Sequence, residues 1–481
     1  MKVGQKKWLR FFWIPLIRIK AVSNTSFEVW LLFFPFLTIR KIGNKILVNF
    51  LIVQVIYDHT VTPFRAWIKR TMQQRKGRKG KIEILKKFAR GEKLKIALMI
   101  CRPGTWCFDY LYKMLMNDQR FEVVVVVMPD RYYDHQQMRK FMKEVTEEML
   151  SKGYEPILGY NEETNKIIDF RNEVNPDIIF YTDFGKWHYY SNEFYITKFL
   201  DKVTFLTEYG YSVMQDEKTC AYELNNLVNM YFRPTEMHKT MAERFMNNKG
   251  RNVIVTGSPK LDERFDKDYK PLDIWKPQKT RKKRIIWAPH HADNMPADMY
   301  VNDAFWYIYD FMLDIAQQFK ESVQFVFRPH PVMYYRMRRK WGQYITDHYF
   351  KQWEQLENGQ VFMGNFIDLF MTSDAMIMDS CSFRAEYTAF DKPLFYTVTE
   401  TSRAVLNDFG EELHKHFYVP ETDLKTGIVE FIQNVVINGN DYKAEERHKF
   451  VEQYFGKING HTASENIYNE IIHFLERGEL E

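Results

Sequence analysis

The sequence predicts an α/β protein with two Rossmann-like domains, preceded by a basic aromatic segment. Apolar runs of strand length alternate with segments long enough for crossover helices, which is the pattern of a parallel sheet. The clearest runs are the five consecutive valines of Val123–Val127 and the run Val323–Phe327. A chain of 481 residues is too long for one core, so two domains are expected.

The first domain is predicted at residues 91–266. Its predicted helices are Trp106–Asn117 and Met138–Lys152. Its predicted strands are Lys95–Ile100, Val123–Val127, Ile178–Tyr181, Thr204–Leu206 and Val253–Thr256. The first strand is followed by Arg102-Pro103-Gly104 and not by G-x-G-x-x-G, and the chain has no G-x-x-x-x-G-K-[ST]. Dehydrogenase and kinase functions are therefore disfavoured.

Two polar loops follow strands of this domain. One begins at Asp183 and the other contains Glu208-Tyr209-Gly210. A glycine after a strand allows a ligand to approach the backbone closely, although it often serves only to make a turn. We interpret Asp183, Glu208, Tyr209 and Gly210 as candidate acceptor-binding residues.

The second domain is predicted at residues 283–481. A linker with Pro271, Pro277 and five basic residues precedes it. Its predicted strands begin at Ile285, Val323, Ala375 and Asp391. Each strand ends in polar, proline or small residues, and ligands of parallel sheets bind beyond the carboxyl ends of the strands.

Two adjacent histidines, His290 and His291, follow the first of these strands. On a regular strand they would point to opposite sides. Contact with substrate or phosphate, a purely structural loop, and metal binding together with Asp293 all remain open here. The spacing matches no helical metal-binding pattern, and no metal or other cofactor is predicted.

Arg328 and His330 follow the strand Val323–Phe327, with Pro329 and Pro331 stiffening the turn. The arginine offers a planar fork for phosphate. The histidine can donate to phosphate oxygens or exchange a proton near neutral pH. The alternative is a buried histidine held by a backbone carbonyl.

Asp379, Ser380 and Ser382 follow the strand Ala375–Met378, and Phe383–Phe390 is predicted as a helix. A serine there can simply cap the helix. The same geometry makes an anion site from free N–H groups and the helix dipole. Glu386 lies one helical turn beyond Ser382 and could face a ribose or a base.

The N-terminal segment, residues 1–90, is predicted to associate with a membrane. Residues 1–81 carry 17 Lys or Arg against two acidic residues, a formal charge of +15, whereas the rest of the chain carries −9. The apolar run Val29–Leu37 is too short to span a bilayer, which needs about 20 residues, so an interfacial anchor on anionic lipid is expected. A helical subdomain with a basic face is the alternative. Nucleic-acid binding is disfavoured because no known nucleic-acid module follows.

The four cysteines form no C-x-x-C pair and have no zinc-site spacing. The simplest interpretation is a reducing, cytosolic compartment.

An ordered set of short motifs resembles the CDP-glycerol glycerophosphotransferases, the teichoic-acid primases and polymerases of bacteria. The set comprises Gly257-Ser258-Pro259, Trp287-Ala288-Pro289, Arg328-Pro329-His330-Pro331, Asp379-Ser380-Cys381-Ser382, Asp391-Lys392-Pro393 and the late Gly460–Ile467. The resemblance covers roughly residues 90–475. It implies a two-lobed, GT-B-like architecture with the nucleotide on the C-terminal lobe and peripheral attachment to the cytoplasmic face of the membrane.

The resemblance also implies residue roles. His330 matches the histidine of the family's K-x-H-P segment, expected to engage the CDP phosphates. Asp379, Ser380 and Ser382 match its D-Y-S-S segment, expected to cradle the pyrophosphate. Tyr209-Gly210 stands where the family has His-Gly, Arg328 where Lys is common, and Cys381 where Tyr is common. These departures suggest a capsule or surface-polymer branch of the family.

The predicted reaction transfers glycerol phosphate from CDP-glycerol to a hydroxyl of a lipid-linked acceptor, with release of CMP. His330, His290 and His291 are the candidate catalytic residues, and Arg328, Asp379, Ser380, Ser382 and Glu386 are the candidate donor-binding residues. The general base stays open among His290, His291, Glu208 and Asp183. The alternatives are a GT-B glycosyltransferase that uses a nucleotide sugar and a membrane-associated scaffold without activity.

Overall fold

The structure is a computed structural model. It describes residues 77–130, 134–182, 192–214, 217–290, 300–301, 304–330, 332–380, 383–399 and 403–478, together with six strands between residues 6 and 58. The chain divides into two compact units, Met1–Gly80 and Lys81–Glu481.

The first unit contains an antiparallel sheet whose strands pair in chain order. The strands are β1 Lys6–Phe11, β2 Ile14–Ser23, β3 Ser26–Leu31, β4 Leu37–Ile42, β5 Lys45–Phe50 and β6 Val53–Asp58. Aromatic and β-branched residues are frequent here, and both types favour strands. The described part of this unit therefore contains strands in place of the helical subdomain that was one alternative. Its membrane association stays a prediction, and residues 59–76 of the predicted N-terminal segment lie outside the described residues.

A seven-stranded parallel sheet forms the first lobe of the second unit, in the order β15-β14-β13-β12-β7-β8-β9. Its strands are β7 Leu94–Ile100, β8 Phe121–Val127, β9 Ile157–Leu158, β12 Ile178–Tyr181, β13 Val203–Thr207, β14 Met230–Arg233 and β15 Val253–Val255. A small hairpin, β10 Tyr160–Asn161 and β11 Lys166–Ile167, lies beside it. Apolar side chains are buried on both faces of the sheet, as expected when helices cover it on both sides.

A five-stranded parallel sheet forms the second lobe, in the order β19-β18-β16-β20-β21. Its strands are β16 Lys283–Ala288, β18 Val323–Phe327, β19 Gly359–Val361, β20 Ala375–Met378 and β21 Leu394–Tyr396. A two-stranded ribbon is formed by β17 Tyr300–Val301 and β22 Arg403–Ala404. Because β16 is central, the residues after β16, β18 and β20 meet at one edge of the sheet.

Helices connect the strands of both lobes. In the first lobe they are α1 (77–89), α2 Asp109–Asn117, α3 His135–Ser151, α4 Glu217–Cys220, α5 Glu223–Leu227 and α6 Glu236–Phe245. In the second they are α7 Ala304–Gln318, α8 Met333–Trp341, α9 Gln343–Gln355, α10 Phe366–Thr372, α11 Phe383–Thr388, α12 Asp408–His414, α13 Leu424–Glu430 and α14 Ala444–Phe455. None of the helices in the described ranges is long and apolar enough to cross a membrane.

The last helix, α15 Ala463–Arg477, returns to the first lobe. Ile467, Ile471 and Leu475 belong to the apolar core of the seven-stranded sheet. Its first turn is fixed by Asp262, whose carboxylate accepts from the backbone N–H groups of Ala463 and Ser464 at 3.0 and 2.8 Å. The C-terminus therefore ties the two lobes together. The predicted boundaries 1–90, 91–266 and 283–481 stay predictions.

Lys392 stabilises the C-terminal end of α10 in the second lobe. Its ammonium group donates to the carbonyls of Phe370, Met371 and Ser373 at 2.6, 2.8 and 2.6 Å. These carbonyls lie at the C-terminal end of α10, where helical partners are lacking. The Asp391-Lys392-Pro393 motif thus has a structural role here.

Candidate active site

The core of the site lies where β16, β18 and β20 end. His290 follows β16, and Asp379 follows β20. The backbone N–H of His290 donates to the Asp379 carboxylate at 2.5 Å. The imidazole of His290 meets that of His330, which follows β18, edge to face with ring centroids 5.0 Å apart. Three residues predicted from separate motifs are therefore brought together. Asp379 acts on the backbone of the His290 loop, which is a positioning contact.

His330 is held in a defined orientation by its neighbours in the chain. Its backbone N–H donates to the Pro289 carbonyl at 3.0 Å, and its ring Nδ1 accepts from the Val332 backbone N–H at 3.2 Å. An accepting Nδ1 places the proton of the neutral ring on Nε2. His330 is therefore arranged as a hydrogen-bond donor through Nε2.

Arg328 is a half-buried cation that directly follows β18, two positions before His330. One Nη1–H donates to the Phe362 carbonyl at 3.1 Å, and the guanidinium lies 5.8 and 5.5 Å from the ring centroids of Phe362 and Phe383. Burial lowers the pKa of Arg328 to about 10, so it stays protonated at neutral pH. A cation with little hydration attracts an anion more strongly than one in bulk water.

Ser380 is positioned by a buried arginine that the sequence did not single out. Arg384 donates through Nε to the Ser380 carbonyl at 3.0 Å. Its Nη2 donates to the Tyr396 hydroxyl, and the guanidinium lies 4.2 Å from the centroid of that ring. The burial of Arg384 depends on Tyr396 of β21, which lies outside the motif that contains Ser380. Ser382, the neighbouring candidate, lies outside the described residues.

Glu386 and Gly210 meet between the two lobes. Glu386 is 2 % exposed, and its carboxylate accepts from the Tyr211 backbone N–H. A Cβ built on Gly210 would stand 2.5 Å from Glu386 Oε1. Burial raises the pKa of Glu386 to about 7, although the charge of Lys260 acts in the opposite direction. A predicted donor residue thus contacts a predicted acceptor residue.

Lys260 is a second functional candidate that sequence reasoning missed. Its ammonium donates to the Gly104 carbonyl at 2.8 Å and lies 5.2 and 4.9 Å from the ring centroids of Tyr209 and Phe366. Burial lowers its pKa, whereas the neighbouring Glu386 raises it, and Arg328 is close enough to add repulsion. Its place in Gly257-Ser258-Pro259-Lys260, directly after β15, was the available signal.

Glu208 faces into the first lobe. Its Oε1 accepts from Arg233 Nη1 and from the Tyr231 hydroxyl, and both partners are buried on β14. Together with Tyr209, Gly210 and Glu386 it lines a pocket of about 180 Å³ that is open to solvent. The candidates Asp183 and His291 lie outside the described residues. Among the residues that are described, no three His, Cys, Asp or Glu side chains form a metal-binding group.

Residues 206–473 match a protein-family model, that of the family described as CDP-Glycerol:Poly(glycerophosphate) glycerophosphotransferase. This range includes the core of the site, Glu208 to Gly210, and Lys260. No curated protein sequence matches the chain.

Solved structures similar to the chain share low sequence identity with it. A putative UDP-N-acetylglucosamine 2-epimerase from Listeria monocytogenes has a TM-score of 0.52 at 15 % identity, covering 81 % of this chain and 98 % of its own. A variant of the wall teichoic acid polymerase TagF soaked with CDPG has a TM-score of 0.52 at 10 % identity, with coverages of 84 % and 98 %. Another TagF structure has 0.52 at 11 %, with 81 % and 90 %. These similarities confirm the predicted two-lobed, GT-B-like fold.

Proposed function

Because the chain belongs to the CDP-glycerol:poly(glycerophosphate) glycerophosphotransferase family, we propose that it transfers glycerol phosphate from CDP-glycerol to a hydroxyl of a membrane-linked surface polymer and releases CMP. The observation that carries this proposal is the contact between His290 and His330 at the carboxyl edge of the second sheet, with the partly buried guanidinium of Arg328 following the same strand as His330. The polymer is of teichoic-acid or capsule type.

The transfer is a displacement at phosphorus. The oxygen of the acceptor hydroxyl forms a bond to the phosphorus that bears glycerol. The bond from that phosphorus to the bridging oxygen breaks, and its electron pair leaves with CMP. The hydroxyl proton passes to a base. Charge spreads over the phosphate oxygens, so catalysis depends mainly on positioning and electrostatic stabilisation.

The cationic residues of the second lobe match these requirements. Arg328 is partly desolvated and protonated at neutral pH, which suits an arginine that binds the diphosphate. His330 offers an Nε2–H donor to a phosphate oxygen. Arg384 fixes the Ser380 carbonyl, two positions after the end of β20.

His290 is the first candidate for the base. Its ring contacts His330, and its backbone is fixed by Asp379. The His290 ring therefore lies in direct contact with His330, the residue proposed to bind the phosphate. His291 and Asp183 remain candidates on the sequence alone.

The proposed location is the cytoplasmic face of the cell membrane, with peripheral attachment. The excess of basic over acidic residues in the first 81 positions and their many aromatic side chains support binding to an anionic surface. An acceptor linked to lipid would then be held near the site.

A doubly labelled donor tests the reaction. Full-length protein is incubated with membranes of the cell that expresses it and with CDP-glycerol carrying ¹⁴C in glycerol and ³H in cytidine. The proposal expects ¹⁴C in membrane-bound polymer and all ³H in free CMP, with both lost in His330→Ala. If the donor were only hydrolysed, with ¹⁴C recovered in free glycerol phosphate and none in polymer, transfer would be contradicted. Incorporation of label from a UDP-sugar, with CDP-glycerol untouched, would move the reaction to glycosyl transfer.

A further inference from the structure

The pocket beside Gly210 contains buried polar side chains that the reaction at phosphorus does not use. It lies at the carboxyl ends of β13 and β14, and Glu208, Arg233 and Asn225 are among the polar residues of a mainly apolar lining. Met214, Met241 and Val213 supply apolar surface. Glu386 forms the boundary between this pocket and the second lobe.

Arg233 is the most informative residue of the pocket. It is 3 % exposed, and its Nη1 donates to Glu208 Oε1 and to the Tyr231 hydroxyl. Its Nε and Nη2 have no hydrogen-bond partner among the described residues. A buried donor without a partner destabilises the folded protein, so these groups are suited to a ligand that accepts hydrogen bonds from them.

Acceptor atoms without partners lie in the same lining. Glu208 Oε2 and Asn225 Oδ1 are buried and have none within the described part of the chain. The Asn225 amide nitrogen donates to the Thr219 carbonyl at 2.8 Å, which fixes the side chain with its oxygen available. The pocket therefore offers both donors and acceptors in one place.

The charge balance of the pocket selects the ligand class. Glu208 neutralises Arg233, and the Glu386 carboxyl group stands at the edge. A phosphate would lie near the carboxyl groups of Glu208 and Glu386, and the Arg233 cation is already paired with Glu208, so a negatively charged ligand is disfavoured. A hydroxyl both donates and accepts, and the apolar lining suits the C–H groups of a polyol.

We propose that this pocket binds the uncharged polyol end of the acceptor, a glycerol or sugar unit with neighbouring hydroxyls. The proposal rests on the proposed transferase function and identifies its acceptor subsite. The contact between Gly210 and Glu386 places this subsite next to the donor lobe, and Lys260 interacts with both Glu386 and Arg328 across that boundary. A hydroxyl in the pocket would thus lie beside Glu386, a candidate donor-binding residue.

The test uses two soluble probes with the same alkyl chain, 1-O-butylglycerol and butyl phosphate. With CDP-glycerol as donor, the neutral diol is expected to accept label and butyl phosphate to compete poorly. Glu208→Gln combined with Arg233→Met removes both charges together and is expected to raise the KM for the diol at least tenfold. Calorimetry on the same protein should give a Kd for CDP-glycerol within twofold of the unmodified chain.

A second variant guards against misfolding of the double variant. Met241→Trp, on α6, fills the pocket without removing a charge and should raise the same KM. An unchanged diol KM in Met241→Trp, or preferential binding of butyl phosphate, would overturn the pocket proposal. If the unmodified chain does not bind CDP-glycerol, the proposed function fails instead, so the two failures are distinguishable.

Discussion

Glu386 Oε1 occupies the space where residue 210 would carry a side chain: a Cβ on Gly210 would stand 2.5 Å away. The two residues come from different lobes: Gly210 follows β13, and Glu386 lies in α11, 176 positions later in the chain. The Glu386 carboxyl group also accepts a hydrogen bond from the Tyr211 backbone N–H. Only glycine at position 210 leaves enough space for this buried carboxyl group between the two lobes.

Gly210→Ala should therefore displace the Glu386 side chain and open the contact between the lobes. We expect transfer to fall about 10- to 100-fold, the scale of a displacement near 1 Å in an active site. Steady-state rates with CDP-glycerol measure the loss.

A double-mutant cycle with Glu386→Gln and Glu386→Ala controls this prediction. Once the side chain at position 386 is truncated to alanine, Gly210→Ala should cost little more, because the two changes are coupled. Additive losses would show that Gly210 acts independently of Glu386.

Glu386 should also give the protein an unusual dependence of stability on pH. Burial raises its pKa from 4.5 to about 7, so the native state holds a proton that the unfolded chain releases. This stabilisation is complete below pH 4.5 and is lost as the pH rises through 7. It amounts to about 3 kcal/mol.

The measurement is urea unfolding at pH 5 and pH 8. Because part of the effect is already lost at pH 5, Glu386→Gln should lose about 2.5 kcal/mol less between these pH values than the unmodified chain. Burial also raises the pKa of Asp262 to about 6 and that of Glu263 to about 7, but both remain in the two proteins and cancel. Equal losses would mean that Glu386 is ionised in the native state at pH 5.

Most of the parallel architecture could be predicted from the sequence because buried central strands are apolar throughout. The predicted strands Val323–Phe327 and Ala375–Met378 are those of the structure, and the predicted helix Phe383–Phe390 ends earlier, at Thr388. β14, Met230–Arg233, was missed because it is short and ends in a charged residue. The charge of Arg233 can be buried there because Glu208, which follows the neighbouring strand β13, forms an ion pair with it.

The site shows the same division between local and long-range information. His290, His330 and Asp379 followed strands and could be assigned to one edge. Arg384 and Lys260 could not, since their burial depends on Tyr396, Tyr209 and Phe366, which are distant in the chain. The strands of the N-terminal unit were also missed, because its aromatic runs were interpreted as an interfacial anchor or a helical subdomain.

Lys392 should be a stability residue of the second lobe. Lys392→Met leaves three carbonyls at the end of α10 without their donor. We expect a loss of roughly 2–4 kcal/mol, since hydrogen bonds to a charged group are the stronger ones.

Lys449→Met is the matched control, because Lys449 forms an exposed pair with Glu445 on one helix. Such pairs contribute about 0.3–0.5 kcal/mol. Urea unfolding of the two variants compares them directly, and similar losses would rule out the role assigned to Lys392.

The basic N-terminal segment should bind anionic vesicles. Changing Arg75, Lys76, Arg78 and Lys79 to Glu should weaken binding to phosphatidylglycerol vesicles at least tenfold, because each basic residue near the surface contributes about 1 kcal/mol. Flotation at low and high salt measures it, and salt should reduce binding of the unmodified chain.

The linker offers a control with the same charge change. Lys279, Arg281, Lys282 and Lys283 changed to Glu should leave vesicle binding nearly intact. If both sets of changes weaken binding equally, overall charge and not the N-terminal segment governs it.

Donor binding by the full-length chain tests the central claim most directly. Calorimetry compares CDP-glycerol, CDP-ribitol, a UDP-sugar and a CMP-sugar, each with and without Mg²⁺, on the unmodified protein, His330→Ala and His330→Gln. His348→Ala, an exposed histidine on α9, is the control. We predict that CDP-glycerol binds most tightly, that His330→Ala weakens it at least tenfold, and that His330→Gln, which keeps an N–H donor, weakens it less. Tighter binding of a nucleotide sugar, or equal binding by His330→Ala, would contradict the account.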